Sequence, residues 1–116
     1  MKIAYHSCGS YSPIFPELIV IGVDILNALQ PTARDMDLPR LKAQYGETVV
    51  FFGGLDTQAI TPFGSIQDVE GEIKRVIRAA AKGGGLILAG AHNIQPDVST
   101  EKVIRIFEFA MRYSAY

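Results

Sequence analysis

Ser65-Ile-Gln-Asp-Val-Glu-Gly-Glu-Ile-Lys-Arg-Val-Ile-Arg-Ala-Ala80 leads through Ala81-Lys-Gly-Gly-Gly85 into Leu86-Ile-Leu-Ala89. In the first segment Ile66, Val69, Ile73, Val76, Ile77 and Ala80 recur mostly at three- and four-residue steps. That spacing lays one apolar stripe along an amphipathic helix. Ser65 is placed to cap it, and the three glycines end it. The short apolar run that follows has the length of a buried strand. The glycine run follows a helix and precedes a strand, the reverse of a phosphate-cradling loop, so it reads as a stop and a turn.

The same alternation extends outward in both directions. Upstream, Thr48 to Phe52 is β-branched and aromatic and runs into Gly53-Gly54-Leu55-Asp56. Before it, Asp37 caps a helix from Leu38 to Tyr45 that Gly46 closes. Asp24 to Leu29 reads as a strand that ends in Gln30-Pro-Thr. The first strand covers residues 2 to 6, and its helix runs from Ile14 to Ile21 between Ser12-Pro13 and Gly22. Downstream, a last helix is expected over Thr100 to Tyr113.

Four βα units in a row predict an α/β fold with parallel strands and right-handed crossovers. The strands are near-continuous apolar runs, which predicts helical cover on both sheet faces. Two architectures fit: a small doubly wound sheet, or part of a (β/α)₈ barrel. With 116 residues, 48% of them hydrophobic and 20% charged, the chain reads as one domain over 1–116 with a real core. The net charge of −1 offers no basic face for nucleic acid. The longest apolar stretch, Leu18 to Leu29, is broken by Asp24 and Asn27 and is too short for a membrane helix. The start of the sequence lacks the basic-then-apolar pattern of a signal peptide. The single cysteine excludes an internal disulfide. A cytoplasmic protein is the expectation.

Folds of this kind place their chemistry at the carboxyl ends of the strands. There the sequence puts His6 and Cys8, Asn27, Asp56 and His92. An imidazole and a thiol two residues apart suit one tetrahedral Zn²⁺, and His92 supplies a third candidate donor. The plain alternatives are a polar turn with a small buried thiol, and a loop histidine bonded to backbone. Asp56 either orients a ligand histidine, holds a polar substrate group, or serves the turn after the glycine pair. Asn27 and Gln58 are candidates for substrate contact.

Five stretches resemble the carboxyl-terminal half of the uroporphyrinogen decarboxylase superfamily. They are Tyr5-His-Ser-Cys-Gly9, Gly22-Val-Asp-Ile-Leu-Asn27, Phe52-Gly-Gly-Leu-Asp56, Gly83-Gly-Gly-Leu-Ile-Leu-Ala89 and His92-Asn-Ile-Gln-Pro96. They span almost the whole chain in the family's order. The resemblance implies the last four units of a (β/α)₈ TIM barrel. It offers two chemistries. The decarboxylases remove acetate carboxylates from a tetrapyrrole without metal or organic cofactor. The corrinoid-dependent methyltransferases bind zinc through a His-x-Cys pair, matched by His6 and Cys8, and through a later cysteine. This sequence has His92 where that cysteine is expected, and a histidine there also resembles the decarboxylases. The resemblance favours a zinc-dependent methyltransferase with a corrinoid carried by a partner protein. Tetrapyrrole decarboxylation ranks second, because Lys2 and Arg34 do not converge on the site. A third reading is a non-enzymatic half-barrel that pairs with a copy of itself or with an amino-terminal half.

Overall fold

The computed structural model describes residues 1–114. The elements run β1 (Ala4–His6), a 3₁₀ turn (Ser12–Ile14), α1 (Phe15–Val20), β2 (Ile25–Leu29), α2 (Leu38–Tyr45) and β3 (Val50–Leu55). There follow α3 (Ile60–Phe63), α4 (Ile66–Ala80), β4 (Leu86–Gly90) and α5 (Thr100–Tyr113). The four strands form one parallel sheet in the order β1-β2-β3-β4.

That order decides between the two architectures. Right-handed crossovers that always step to the next strand put every helix on the same face. A doubly wound sheet needs the order to reverse so that helices cover both faces. No reversal occurs, and the arrangement is that of half a TIM barrel.

Strand register assigns the two faces. Tyr5, Leu26, Phe51 and Leu86 stand side by side across the sheet and face the helices. Leu26 and Phe51 are fully buried there, among Phe15 of α1, Leu41 of α2, Ile73 and Val76 of α4, and Phe109 of α5. The neighbouring row, His6, Asn27, Phe52 and Ile87, points the other way. No helix covers that face, and Ile87 is 41% exposed. The expected cover on both faces is therefore present on one only. Apolar composition in a strand signals two buried faces, but a barrel covers the inner one with its own far wall.

Two local differences matter for the site. β3 continues past Phe52 through Gly53 and Gly54, which stay paired with Leu88 and Ala89 of β4. Gly54 has a φ of +98, and a Cβ there would lie 2.9 Å from Val76 Cγ1. The glycines thus let the strand continue tightly under α4, where the sequence pattern reads a turn. The short helix α3 was not expected; the Asp56 carboxylate holds its start, as described below. Among the described residues, no helix is long and apolar enough to cross a membrane.

Candidate functional site

The polar residues at the carboxyl ends of the strands gather at one mouth. His6 closes β1, Cys8 follows two residues later, and His92 lies in the loop after β4. All three are exposed. β1 and β4 are the outer strands, separated by three inter-strand gaps, or about 14 Å in a flat sheet. Yet the His6 and His92 rings meet edge to face with centroids 6.4 Å apart. Their side chains thus reach toward each other from opposite edges over the uncovered face.

A cavity of about 330 Å³ opens between them, with Asn27, Phe52 and Ala89 also in its lining. A second, of about 280 Å³, shares Ala91, His92 and Asn93 with the first and adds Cys8, Gln30, Thr57, Gln58 and Gln95. Among the described residues, no Lys, Arg, Asp or Glu lines either one. Lys2 is instead paired at 2.7 Å with Asp24, before β2, and Arg34 lies 3.5 Å from Asp35.

Several contacts hold the loops in place. Gly9 N–H donates to Gln30 Oε1 at 3.1 Å, which ties the Cys8 loop to the end of β2. Ser12 Oγ donates to the Asp35 carbonyl at 2.7 Å. On the opposite side, a Cβ on Gly90 would sit 2.7 Å from the His92 carbonyl and 2.9 Å from Thr57 Cγ2. Only glycine permits the tight turn that directs His92 over the mouth.

Within the site, Cys8 Sγ lies 3.7 Å from His6 Nε2, and His6 Nδ1 lies 2.5 Å from Asn27 Oδ1. Two donors of one tetrahedral zinc, bonded at about 2.1 and 2.3 Å, stand about 3.6 Å apart. The His6–Cys8 pair has that separation already. Two imidazoles on the same ion would have centroids about 5 Å apart. His92 therefore stands somewhat more than 1 Å outside this distance, at 6.4 Å. Among the described residues, no three His, Cys, Asp or Glu side chains form a group spaced for a shared metal. The donor chemistry of His6 and Cys8 suits zinc at two positions, and His92 does not complete a group with them.

Asp56 is 5% exposed and does not reach either histidine. Its carboxylate accepts from the backbone N–H groups of Gln58, Ala59 and Ile60, and its own N–H donates to Glu72 Oε1. It builds the β3–α3 turn, the third of the roles the sequence left open. Gln58 stands on that turn; its Oε1 accepts from Thr32 Oγ1 at 3.1 Å, and its side chain lines the second cavity. Asn27 lies behind His6 on the next strand, in register with it.

Sequence reasoning did not single out Tyr11, Gln30, Thr57, Asn93 or Gln95. Gln30 and Thr57 were within reach of the strand-end argument, since each follows a strand directly or by one residue. Tyr11 carries no such signal. Its hydroxyl is buried without a hydrogen-bond partner, and burial, reinforced by Tyr5 and Cys8, pushes its pKa well above the usual tyrosine value.

Comparison with curated proteins returns no match. The family model described as Uroporphyrinogen decarboxylase (URO-D) matches residues 1–113. With that match over nearly its whole length, on a half-barrel whose polar groups converge at the strand ends, the chain belongs to the uroporphyrinogen decarboxylase superfamily.

Proposed function

We propose that this half-barrel carries the zinc-binding side of a corrinoid-linked methyltransferase site. The observation that carries the reading is the 3.7 Å separation of His6 Nε2 and Cys8 Sγ at the mouth, with His92 across the same cavity. His6 and Cys8 are two ligands, and His92 becomes the third when its loop closes by somewhat more than 1 Å. Zinc, when bound, supplies the positive charge that keeps a substrate thiol ionised near neutral pH.

The chain's own residues then position that thiol. Phe52 and Ala89 give the cavity an apolar floor, and Asn93, Gln58 and Gln95 give it a neutral polar rim. A corrinoid held by a partner protein and docked at this mouth would supply the methyl group that such a thiolate accepts. The reverse direction, from a methylated small molecule, uses the same groups. The open face and both sheet edges need a second half-barrel, either an amino-terminal half or another copy of this chain.

The test is zinc per chain in anaerobically purified protein, beside Cys8→Ser and His92→Ala. The expected result is about one zinc per chain, lost in both variants. Folded, soluble wild type without zinc overturns the reading.

Removal of carboxylates from a tetrapyrrole is the second reading, favoured by the gap between His92 and the His6–Cys8 pair. Against it stands a mouth with no Lys or Arg in its lining to meet several carboxylates. Release of CO₂ from a uroporphyrinogen with no metal added would establish it in place of methyl transfer.

A further inference from the structure

We infer that Asn27 is a positioning residue: it fixes the proton of His6 on Nδ1 and so presents Nε2 as the free donor toward Cys8 and the cavity. The inference builds on the metal reading above, and it assigns Asn27 a place behind the ligand in addition to any contact with substrate.

Donor and acceptor rules carry the argument. The Asn27 carboxamide spans two neighbours, the Phe52 backbone carbonyl at 3.2 Å and His6 Nδ1 at 2.5 Å. A carbonyl oxygen only accepts, so the amide group that faces Phe52 is the NH₂. The group that faces His6 is then Oδ1, which also only accepts. His6 Nδ1 must therefore carry a hydrogen. In a neutral imidazole the other nitrogen is then bare. That nitrogen, Nε2, is the one 3.7 Å from Cys8 Sγ.

The register of the sheet makes this arrangement specific. His6 and Asn27 are paired across β1 and β2, and Asn27 is paired with Phe52 across β2 and β3. Three adjacent strands thus form one relay: a backbone carbonyl orients an amide, and the amide orients an imidazole. A partner on the rear nitrogen of a ligand histidine sets ring orientation and tautomer, and its loss weakens metal binding about 10- to 100-fold.

Nitrogen NMR on protein labelled at histidine nitrogens tests the tautomer directly, with His92→Gln used to assign the two rings. In metal-free wild type at a pH where the ring is neutral, His6 should show a protonated Nδ1 and a bare Nε2. Asn27→Ala should release the ring into a mixture of tautomers and weaken binding of zinc, or of cobalt(II) read by its visible spectrum, about 10- to 100-fold. Asn27→Asp keeps an acceptor behind the ring but loses the donor to the Phe52 carbonyl, so it should restore the tautomer and part of the affinity.

A bare Nδ1 in wild type overturns the inference with no variant needed. So does an Asn27→Ala protein that keeps the wild-type tautomer and affinity. A protonated Nδ1 in a protein that binds neither metal would leave the role of Asn27 standing and remove the metal reading instead.

Discussion

Tyr11 stands three residues after Cys8 with its ring against Phe15 at 5.0 Å and Tyr5 at 6.0 Å, and its hydroxyl has no partner. An unpaired buried hydroxyl costs free energy, while the ring's packing does not depend on it. Tyr11→Phe should therefore hold or raise stability, by up to about 2 kcal/mol in chemical denaturation. A loss of more than about 1 kcal/mol would mean that the hydroxyl is paired in solution. At this scale residue type made some placements legible. A His-x-Cys pair at a strand end suggests two neighbouring side chains, and the structure places His6 Nε2 and Cys8 Sγ 3.7 Å apart. Other roles depend on direction, which residue type does not encode. Asp56 could face a ligand or its own backbone, and only the fold shows three backbone N–H groups on its carboxylate. Asn27 is a candidate for substrate contact by its place at a strand end, and strand register adds its position beside His6.

Among the elements, α4 is the one whose sequence and structure agree most fully. Ser65 Oγ accepts from Asp68 N–H, and Asp68 accepts in return from Ser65 N–H and Oγ. This reciprocal box satisfies free donors in the first turn. Ser65→Ala should cost about 1 kcal/mol, read from denaturant midpoints at neutral pH. The Ser65 hydroxyl and backbone N–H, in that order, hold the Asp68 pKa below the usual carboxylate value. A lowered folded-state pKa contributes stability above the unfolded value and loses it as pH falls through the folded one. The wild-type advantage over Ser65→Ala should thus be full above the usual carboxylate range and shrink as pH falls below it. α2 and α5 have the bounds their caps and periodicity predict, because those signals are local. β3 escaped the same reading because its limit rests on a non-local fact, the pairing of its glycines with β4. The start of α3 is local, since the Asp56 carboxylate accepts from N–H groups two to four residues on, but an aspartate's type does not say which way it faces.

The molecule as a whole has helices on one face and leaves the other bare. The parallel order was legible from strand–helix alternation, and the half-barrel reading implied open edges and a bare inner face; the apolar composition of the strands alone pointed instead to cover on both faces. α5 adds a second exposed stripe, Ile104, Phe107 and Met111, beside the one it buries in the core. α1 ends at Val20, 85% exposed, and Ile21 after it is 74% exposed. Apolar faces next to open strand edges drive association. The chain should sediment above monomer mass with rising concentration, and Phe107→Glu should shift it toward monomer. A monomer at every concentration would refute this. The meeting of His6 and His92 from opposite edges of the sheet has its own consequence. Their separation depends on how strongly the four strands curl, so the two rings act as a gauge of the whole wall. A partner that tightens the curl brings His92 inward, and one that flattens it pulls the ring away. Under the proposed metal reading, zinc affinity would then report, at the mouth, whether the barrel behind it has closed.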